Sequence, residues 1–212
     1  MALSVVAAVL SVSGMSVASA AAPTSRAAAA VQVTKRVVVR PVHANGSPAR
    51  GFTVSKESFP DFTCDQGAST VAVDANIRFC GSSLTYTVAC WKSAKHTVLC
   101  LRDPASKKLV RIRYTGHFSH VAAPKRVTPQ ALRLGNRAYC MIRGGGAWPT
   151  PVRHPSWVGY YSCAKGAVYG PPNGDGINRS HKLWTVYTLA ASGEGPASKR
   201  RVLTAYYVGT AR

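Results

Sequence analysis

The sequence has few carboxylates: only seven Asp and Glu residues stand against 27 Lys and Arg. Neighbouring cations favour the ionised form of a carboxyl group. Catalysis by a pair of carboxylates needs one acid with a raised pKa, so this chemistry is disfavoured unless one of the seven is buried. Asp103, which precedes Pro104, and Asp175, which lies in a Pro-Pro-Asn-Gly-Asp-Gly segment, are best explained as turn residues.

Several motifs of enzymes and metal sites are also missing. Neither C-x-x-C nor H-E-x-x-H occurs, so a zinc site is disfavoured, and Cys90, His96 and Cys100 are better explained by disulfides and a surface histidine. The chain beyond residue 20 has no G-x-S-x-G. The Gly run 144–146 is followed by Ala-Trp-Pro, not by Lys and Ser or Thr as a phosphate loop requires. We therefore expect no metal, no cofactor and no catalytic residue, with a hydrolase assembled from distant residues as a remaining alternative.

The first twenty residues have the pattern of an export signal. Leu3 to Val17 is an apolar run of small residues, and Ala18-Ser-Ala20 is a suitable cleavage site. The run is shorter and less apolar than the roughly 20 residues of a transmembrane helix. The segment before it has no Lys or Arg, which is unusual for a signal peptide. We expect a secreted or cell-wall-associated protein with no transmembrane span in the mature chain.

Export explains the cysteines, which are six in number and all follow residue 20. In an oxidising compartment an even number of cysteines indicates disulfides, here three. The last two cysteines are the only ones in the C-terminal half, and the other four can pair through short hairpin-like closures, although other pairings stay open. The preferred pairs are Cys140–Cys163, Cys64–Cys80 and Cys90–Cys100.

The remaining chain has the pattern of one mainly β domain. Alternating or β-branched segments at a spacing of roughly ten residues are separated by turn residues, which favours an antiparallel sandwich or barrel-like fold with little helix. The predicted strands cover residues 70–79, 84–91, 96–102, 108–114, 183–189 and 201–208. We place a flexible basic segment at 21–50 and the disulfide-stabilised domain at 51–212, with an edge strand at 31–40 as the alternative for that segment.

The stretch from Tyr139 to Gly170 combines two cysteines, two tryptophans and the only Gly-Gly-Gly run. We interpret it as an aromatic loop closed by Cys140 and Cys163. An aromatic loop of this kind can bind a protein partner. The candidate residues for that interaction are Arg143, Trp148, Trp157 and Tyr160.

The formal charge of +20 indicates an anionic partner. Arg111 and Arg113 are two residues apart on a predicted strand, so both are expected on one face. The candidate anion-binding residues are Lys107, Lys108, Arg111, Arg113, Lys125, Arg126, Lys199, Arg200 and Arg201. If the sheet brings any of these clusters together, affinity for a polyanion follows, and adjacent Tyr or Trp rings can stack on bases or sugars. The alternative is that these charges are simply solvated and that Trp91 and Trp184 fill the core.

Some of these features resemble a group of small exported, cysteine-containing proteins of actinobacteria. The similar segments, in chain order, are Phe79-Cys-Gly, Cys90, Cys100 with Arg102-Asp-Pro, Cys140-x-x-Arg143-x-Gly-Gly-Ala-Trp148, Gly159-x-Tyr161-x-Cys163 and Trp184-Thr-Val186. The resemblance covers roughly residues 78–209. It implies no activity, and no catalytic or binding residue carries over from it.

Three functions follow from these patterns. The first is a secreted, non-enzymatic module that binds an anionic polymer or surface, such as a wall polymer, nucleic acid or an acidic lipid surface. The second is a protein-interaction module that uses the aromatic loop between Cys140 and Cys163. The third, less favoured, is an unrecognised hydrolase.

Overall fold

The computed structural model describes residues 32–83, 85–144 and 147–212. The predicted signal segment, residues 1–20, lies outside the described residues. Within them the chain forms strands and turns, with no helix. In chain order the strands are β1 (Lys35–His43), β2 (Thr53–Glu57), β3 (Ile77–Gly81), β4 (Tyr86–Lys92), β5 (Thr97–Cys100), β6 (Lys108–Arg113), β7 (Ala131–Leu134), β8 (Tyr139–Ile142), β9 (Val158–Cys163), β10 (Ala167–Gly170), β11 (Ile177–Asn178), β12 (Thr185–Leu189) and β13 (Ser198–Ala211).

The larger sheet closes into a six-stranded antiparallel barrel. Its strand order is β13-β7-β8-β9-β10-β12, and β12 pairs back onto β13. Strand β1 adds to β13 in parallel, and β11 adds to β12. The barrel is filled by apolar and aromatic side chains, among them Leu132, Tyr161, Val186, Val202 and Tyr207. Fully burying a large side chain of this kind contributes about 1.5–3 kcal/mol.

The second sheet has the order β2-β6-β5-β4-β3. Strands β3 to β6 form the antiparallel meander that the sequence predicts, although β3 spans Ile77–Gly81 and residues 70–76 of the strand predicted there lie mostly in turns and bends. Strand β2 pairs in parallel with β6. Thr63 forms bridges to Gly81 at the end of β3 and to Thr115 after β6, and so joins the two sides of this sheet. Its core contains four of the six cysteines, with Phe62 and Ile112 among the apolar residues around them.

A third apolar cluster packs the two sheets together. It combines Val42 of β1 and Val208 of β13 with Trp91, Leu99 and Leu109 of the smaller sheet. Trp91 is therefore a core residue, as one of the sequence interpretations expected, and its indole N–H donates to the Thr210 hydroxyl at 3.3 Å. Trp184 is half-buried at the margin of the barrel core.

The three predicted disulfides are confirmed. Cys90 lies directly opposite Cys100 on β4 and β5, and Cys140 lies opposite Cys163 on β8 and β9. The third bond joins Cys64 to Cys80. Side chains of directly opposed residues in an antiparallel pair are the closest cross-strand neighbours, which brings the sulfurs into bonding distance.

The folded unit begins earlier than the sequence analysis expects. Residues 32–212 form one compact unit, and the nine residues of β1 lie within the segment 21–50 that was assigned as flexible and basic. The edge-strand alternative for this segment is therefore the correct one, although the strand lies at 35–43. Its stability comes from parallel pairing with β13, which is more than 160 residues away and leaves no local signal. None of the described residues belongs to a helix long and apolar enough to span a membrane.

Polar contacts also join the barrel to the smaller sheet. The Tyr139 hydroxyl on β8 donates to the Asp103 carboxylate in the β5–β6 turn at 2.5 Å. The buried Gln130 amide donates to the carbonyl oxygens of Leu101 and Arg102, at 2.9 and 3.0 Å. Burial and the bonded carboxylate of Asp103 raise the pKa of Tyr139 well above its ordinary range.

The Tyr139 contact predicts a specific loss of stability in alkali. In the unfolded chain tyrosine ionises near pH 10, whereas the folded protein holds Tyr139 protonated. Its contribution is therefore complete below about pH 10 and is lost as the pH rises further, because the unfolded state then releases a proton that the folded state retains. Tyr139→Phe should lose about 1 kcal/mol at pH 7, and should lose less additional stability than wild type between pH 10 and 11. Urea unfolding across this range measures both effects, with the exposed Tyr86→Phe as control; equal alkaline slopes in wild type and Tyr139→Phe would contradict the assignment.

The disulfide of β8 and β9 predicts a second measurable effect. Replacing both Cys140 and Cys163 by Ala opens a cross-link with a sequence separation of 23. In the chain-entropy description this costs about 3 kcal/mol of unfolding free energy. Chemical denaturation of the double variant and the wild type measures the difference. After full reduction the two proteins should have nearly the same stability, and a difference that persists would assign the effect to packing.

Candidate anion-binding surface

The structure distributes the nine predicted anion-binding residues over both sheets. Lys107, Lys108, Arg111 and Arg113 belong to β6 or the turn before it, in the smaller sheet. The group from Lys199 to Arg201 begins β13, in the barrel. Lys125 and Arg126 are exposed in the irregular segment between the sheets. The sequence alone does not show which of these groups meet.

Pairing between β12 and β13 places two of these cations beside an exposed aromatic ring. Lys199 lies directly opposite Tyr187, and Arg201 lies directly opposite Thr185. Opposed residues of an antiparallel pair project from the same face. Val186 between them is buried in the barrel, so Tyr187, Lys199 and Arg201 are on the outside. Tyr187 has 38% of its surface exposed, which leaves part of its ring free to stack on a ligand.

A groove of about 380 Å³ begins at this ring. Its walls include Trp157 from the aromatic loop, Thr185 and Tyr187 from β12, and Arg126. The facing wall is formed by the β10–β11 loop with Pro171 and Pro172. Arg126 therefore lies in the same groove as Tyr187. Tyr187 is also the strand partner of Lys199, so two of the predicted basic clusters meet at this ring. We call Arg126, Trp157, Thr185, Tyr187, Lys199 and Arg201 the β12–β13 surface.

The carboxylate at this groove is neutralised inside the protein. Asp175 lines the groove, but only 4% of its side chain is exposed, and Arg179 binds both of its oxygens, at 2.8 and 2.5 Å. Asp175 also accepts the Ile177 backbone N–H, as expected of a turn residue. Arg179 in turn lies over the Trp184 ring, 4.8 Å from its centroid. The turn interpretation of Asp175 was thus incomplete, since the sequence does not indicate its buried ion pair.

A second groove continues the basic surface on the other side of β13. It has a volume of about 410 Å³, and its lining residues include Lys199, Arg200, Arg201 and the β7–β8 turn at Asn136. Among the described residues, no carboxylate lines it. Arg200 lies opposite the buried Val186 and is half-buried, so it starts from the opposite face of β13 to Lys199 and Arg201. Lys199 and Arg201 therefore line this second groove and lie beside the first one, which begins at Tyr187.

The aromatic loop between Cys140 and Cys163 packs mainly against the barrel itself. Trp148 lies edge-on to the buried Tyr169, at a centroid distance of 5.7 Å. The Arg143 guanidinium lies over the Trp148 ring, 4.7 Å from its centroid. The Tyr160 hydroxyl donates to the Pro171 carbonyl oxygen at 2.6 Å and so holds the β10–β11 loop. These three interaction candidates contact the protein's own residues, and Tyr160 also holds one wall of the groove.

Trp157 is the member of the aromatic loop that lies in the groove. Its ring stacks on His154 at 3.9 Å and lies 5.2 Å from the Tyr187 ring. The three rings form a short aromatic row on the outside of the barrel. Tyr187 was not among the predicted site residues, although strand alternation could have identified it: Tyr187 points to the face opposite to Val186, which is buried in the barrel.

Two of the predicted β6 cations lie in a different groove. Arg111 and Arg113 line it together with Lys56 of β2, which sequence reasoning missed. Lys107 and Lys108 lie at the other end of β6, where Lys108 is opposite Thr53. Both lysines are exposed and lie outside this groove. Lys125 is likewise exposed and is not among the residues that line the groove beside Tyr187, although its neighbour Arg126 is.

The side chains available for other chemistry are limited in the described part of the chain. All six cysteines are in disulfides, so no thiol is available as a nucleophile or ligand. The described residues contain no group of three or more His, Cys, Asp or Glu that could hold a metal ion. The chain matches no protein-family model, no curated protein and no solved structure. The geometry of the surface is therefore the basis for a functional assignment.

The position of Trp148 predicts the effect of one small substitution. A Cβ added to Gly159 on β9 would lie 2.1 Å from the nearest atom of the Trp148 ring, so Gly159→Ala must displace the ring from the barrel. We expect a loss of about 1–3 kcal/mol of unfolding free energy, together with a changed near-ultraviolet circular dichroism spectrum. Gly174→Ala is the matched control, because its new methyl group would have no neighbour closer than 3.8 Å. A fully stable Gly159→Ala variant with the wild-type spectrum would contradict this packing.

Proposed function

We propose that the protein is an exported, non-enzymatic module that binds an anionic polymer, and that binding occurs on the β12–β13 surface. The observation that carries the proposal is the pairing of two cations on β13, Lys199 and Arg201, with Tyr187 and Thr185 on β12. Tyr187 and Thr185 line a groove together with Arg126 and Trp157. Cations provide salt-dependent attraction to a charged chain. Aromatic rings beside them stack on bases or sugars of the same chain.

The charge balance of the surface supports this proposal. Arg126, Lys199 and Arg201 form no ion pair with any carboxylate of the described residues, and Asp175 is already bound by Arg179. An approaching polyanion therefore displaces no bound carboxylate from these three cations. A wall polymer, a nucleic acid or an acidic lipid surface would each present suitable negative charges.

Export is the second part of the proposal. It rests on the apolar segment at residues 3–17 with its cleavage pattern, and it is supported by three disulfides, which form and persist in oxidising compartments. The resemblance to small exported actinobacterial proteins stays a prediction. The protein-interaction alternative also stays a prediction. It relies on the aromatic residues of the loop between Cys140 and Cys163, and two of them, Trp148 and Tyr160, contact the protein itself. The hydrolase alternative also stays a prediction.

Two double variants test whether the surface or only the total charge matters. Lys199→Gln/Arg201→Gln removes two charges from the β12–β13 surface, and Lys107→Gln/Lys108→Gln removes two from the far end of β6. Binding to a fluorescein-labelled oligothymidylate is measured by anisotropy at several salt concentrations, and binding to heparin by elution from a column. We expect the first variant to bind about tenfold more weakly near 0.1 M salt and its salt slope to fall by about 1.4. The second should stay close to wild type.

Tyr187→Ala separates stacking from charge. It should weaken oligothymidylate binding while leaving the salt slope unchanged, because stacking releases no counterions. Equal losses in the two double variants would show that only net charge matters. Unchanged binding in Lys199→Gln/Arg201→Gln would reject the β12–β13 surface as the site.

A further inference from the structure

The smaller sheet carries a separate basic groove of about 520 Å³. Lys56, Glu57 and Ser58 at the end of β2 line it, together with Thr97 of β5 and Arg111 and Arg113 of β6. We call this the β6 groove. None of the described residues that line it is aromatic, in contrast to the groove beside Tyr187. Its chemistry is therefore that of charge and hydrogen bonding without stacking.

Strand register brings three cations together in the β6 groove. Lys56 is the direct partner of Arg111 in the parallel pair β2–β6, and Arg113 follows two residues later on the same face. Neighbouring strands are about 5 Å apart, and residues two apart on a strand are separated by about 7 Å. The three side chains therefore start from a compact triangle. The apolar neighbours Val54 and Leu109 on this face pack into the core between the sheets, which fixes the orientation of the face.

The acidic residue at the groove does not balance this charge. Glu57 pairs with Ile112, whose side chain is buried in the core of the smaller sheet, so Glu57 starts from the opposite face to Lys56. Both Glu57 oxygens are bound by the Arg102 guanidinium, at 3.1 and 2.7 Å. Lys56, Arg111 and Arg113 form no ion pair with any carboxylate of the described chain. Three like charges close together are unfavourable unless an anion joins them.

Hydrogen-bond donors are also left over in this groove. The Nε of Arg111 is buried and has no acceptor among the described residues. The exposed Ser58 hydroxyl makes no hydrogen bond within the described residues either. Arg111 lines the groove, so its guanidinium can offer this Nε–H together with an Nη–H to a ligand there once the side chain reorients. Such a fork binds two oxygens of a phosphate, sulfate or carboxylate group at once.

We propose that the β6 groove binds a single tetrahedral oxyanion, a phosphate or sulfate group, with Arg111 as the bidentate anchor and Lys56 and Arg113 as flanking charges. The compact triangle favours one small group with several negative oxygens over an extended chain. The site does not depend on the β12–β13 surface, because the two share no residue. The group can be a free ion, an ester on a small molecule or a lipid headgroup, since all present the same oxygens.

The test follows the Arg111 side chain directly. Inorganic phosphate is titrated into uniformly ¹⁵N-labelled protein at constant ionic strength, and the arginine Nε–H signals are recorded by NMR. We expect the Arg111 signal to shift and saturate. Lys56→Gln/Arg113→Gln replaces two exposed residues and should weaken binding at least tenfold. Lys107→Gln/Lys108→Gln, with the same charge loss at the other end of β6, should match wild type.

Further variants and a lipid probe test the geometry of the site, its independence from the β12–β13 surface and the source of the bound group. Arg111→Lys keeps the charge and loses the fork, and it should also bind at least tenfold more weakly. Lys199→Gln/Arg201→Gln should bind phosphate normally, and Lys56→Gln/Arg113→Gln should bind oligothymidylate normally, so this proposal and the polymer proposal fail separately. Vesicles of phosphatidylcholine with phosphatidic acid distinguish a lipid source: a saturable Arg111 shift with free phosphate and no vesicle binding assigns a soluble ligand. A linear shift without saturation, or equal weakening in Lys107→Gln/Lys108→Gln, would overturn the proposal.

Discussion

The fold depends on the pairing of its last strand. The 14 residues of β13 pair with β12 at their beginning, with β7 in the middle and with β1 toward the end. This pairing closes the barrel and attaches the N-terminal strand. It also places Val202 and Tyr207 in the barrel core and Val208 in the core between the sheets. Because these contacts join distant parts of the chain, their loop-closure entropy must be offset by burial in two cores at once.

The same strand connects the fold to the proposed polymer site. A strand presents alternate residues to opposite faces, so a strand that fills a barrel with one set of side chains exposes the other set. In the first part of β13 the exposed set is Lys199 and Arg201, and the opposing exposed residue of β12 is Tyr187. Barrel closure thus fixes the distance between the cations and the ring. Loops alone would not hold these groups in a constant arrangement.

Local features were predictable from the sequence, and long-range pairings were not. The meander of β3 to β6 follows from alternation and turn residues, and the Cys140–Cys163 bond from the presence of only two cysteines in the C-terminal half. The other two bonds were only preferred, for their short separations, with other pairings left open. Strands β1 and β2 pair in parallel with partners far along the chain, so no hairpin signal marks them. For that reason Lys56 was missed, and β1 lay in a segment assigned as flexible. Which of the basic residues meet also depends on these pairings, so the sequence could list the candidates but not group them.

The scarcity of carboxylates acquires a physical meaning in this fold. Glu57, Asp74 and Asp175 are bound by Arg102, Arg40 and Arg179, and Asp103 accepts the Tyr139 hydroxyl. These four acids serve internal contacts, so they cannot neutralise the cations of either groove. A surface with few acids also has few competitors for its own lysines and arginines, which lowers the cost of exchanging partners when an anion arrives. The charge imbalance therefore has a structural side: these four acids hold the framework, and the bases of both grooves have no carboxylate partner among the described residues.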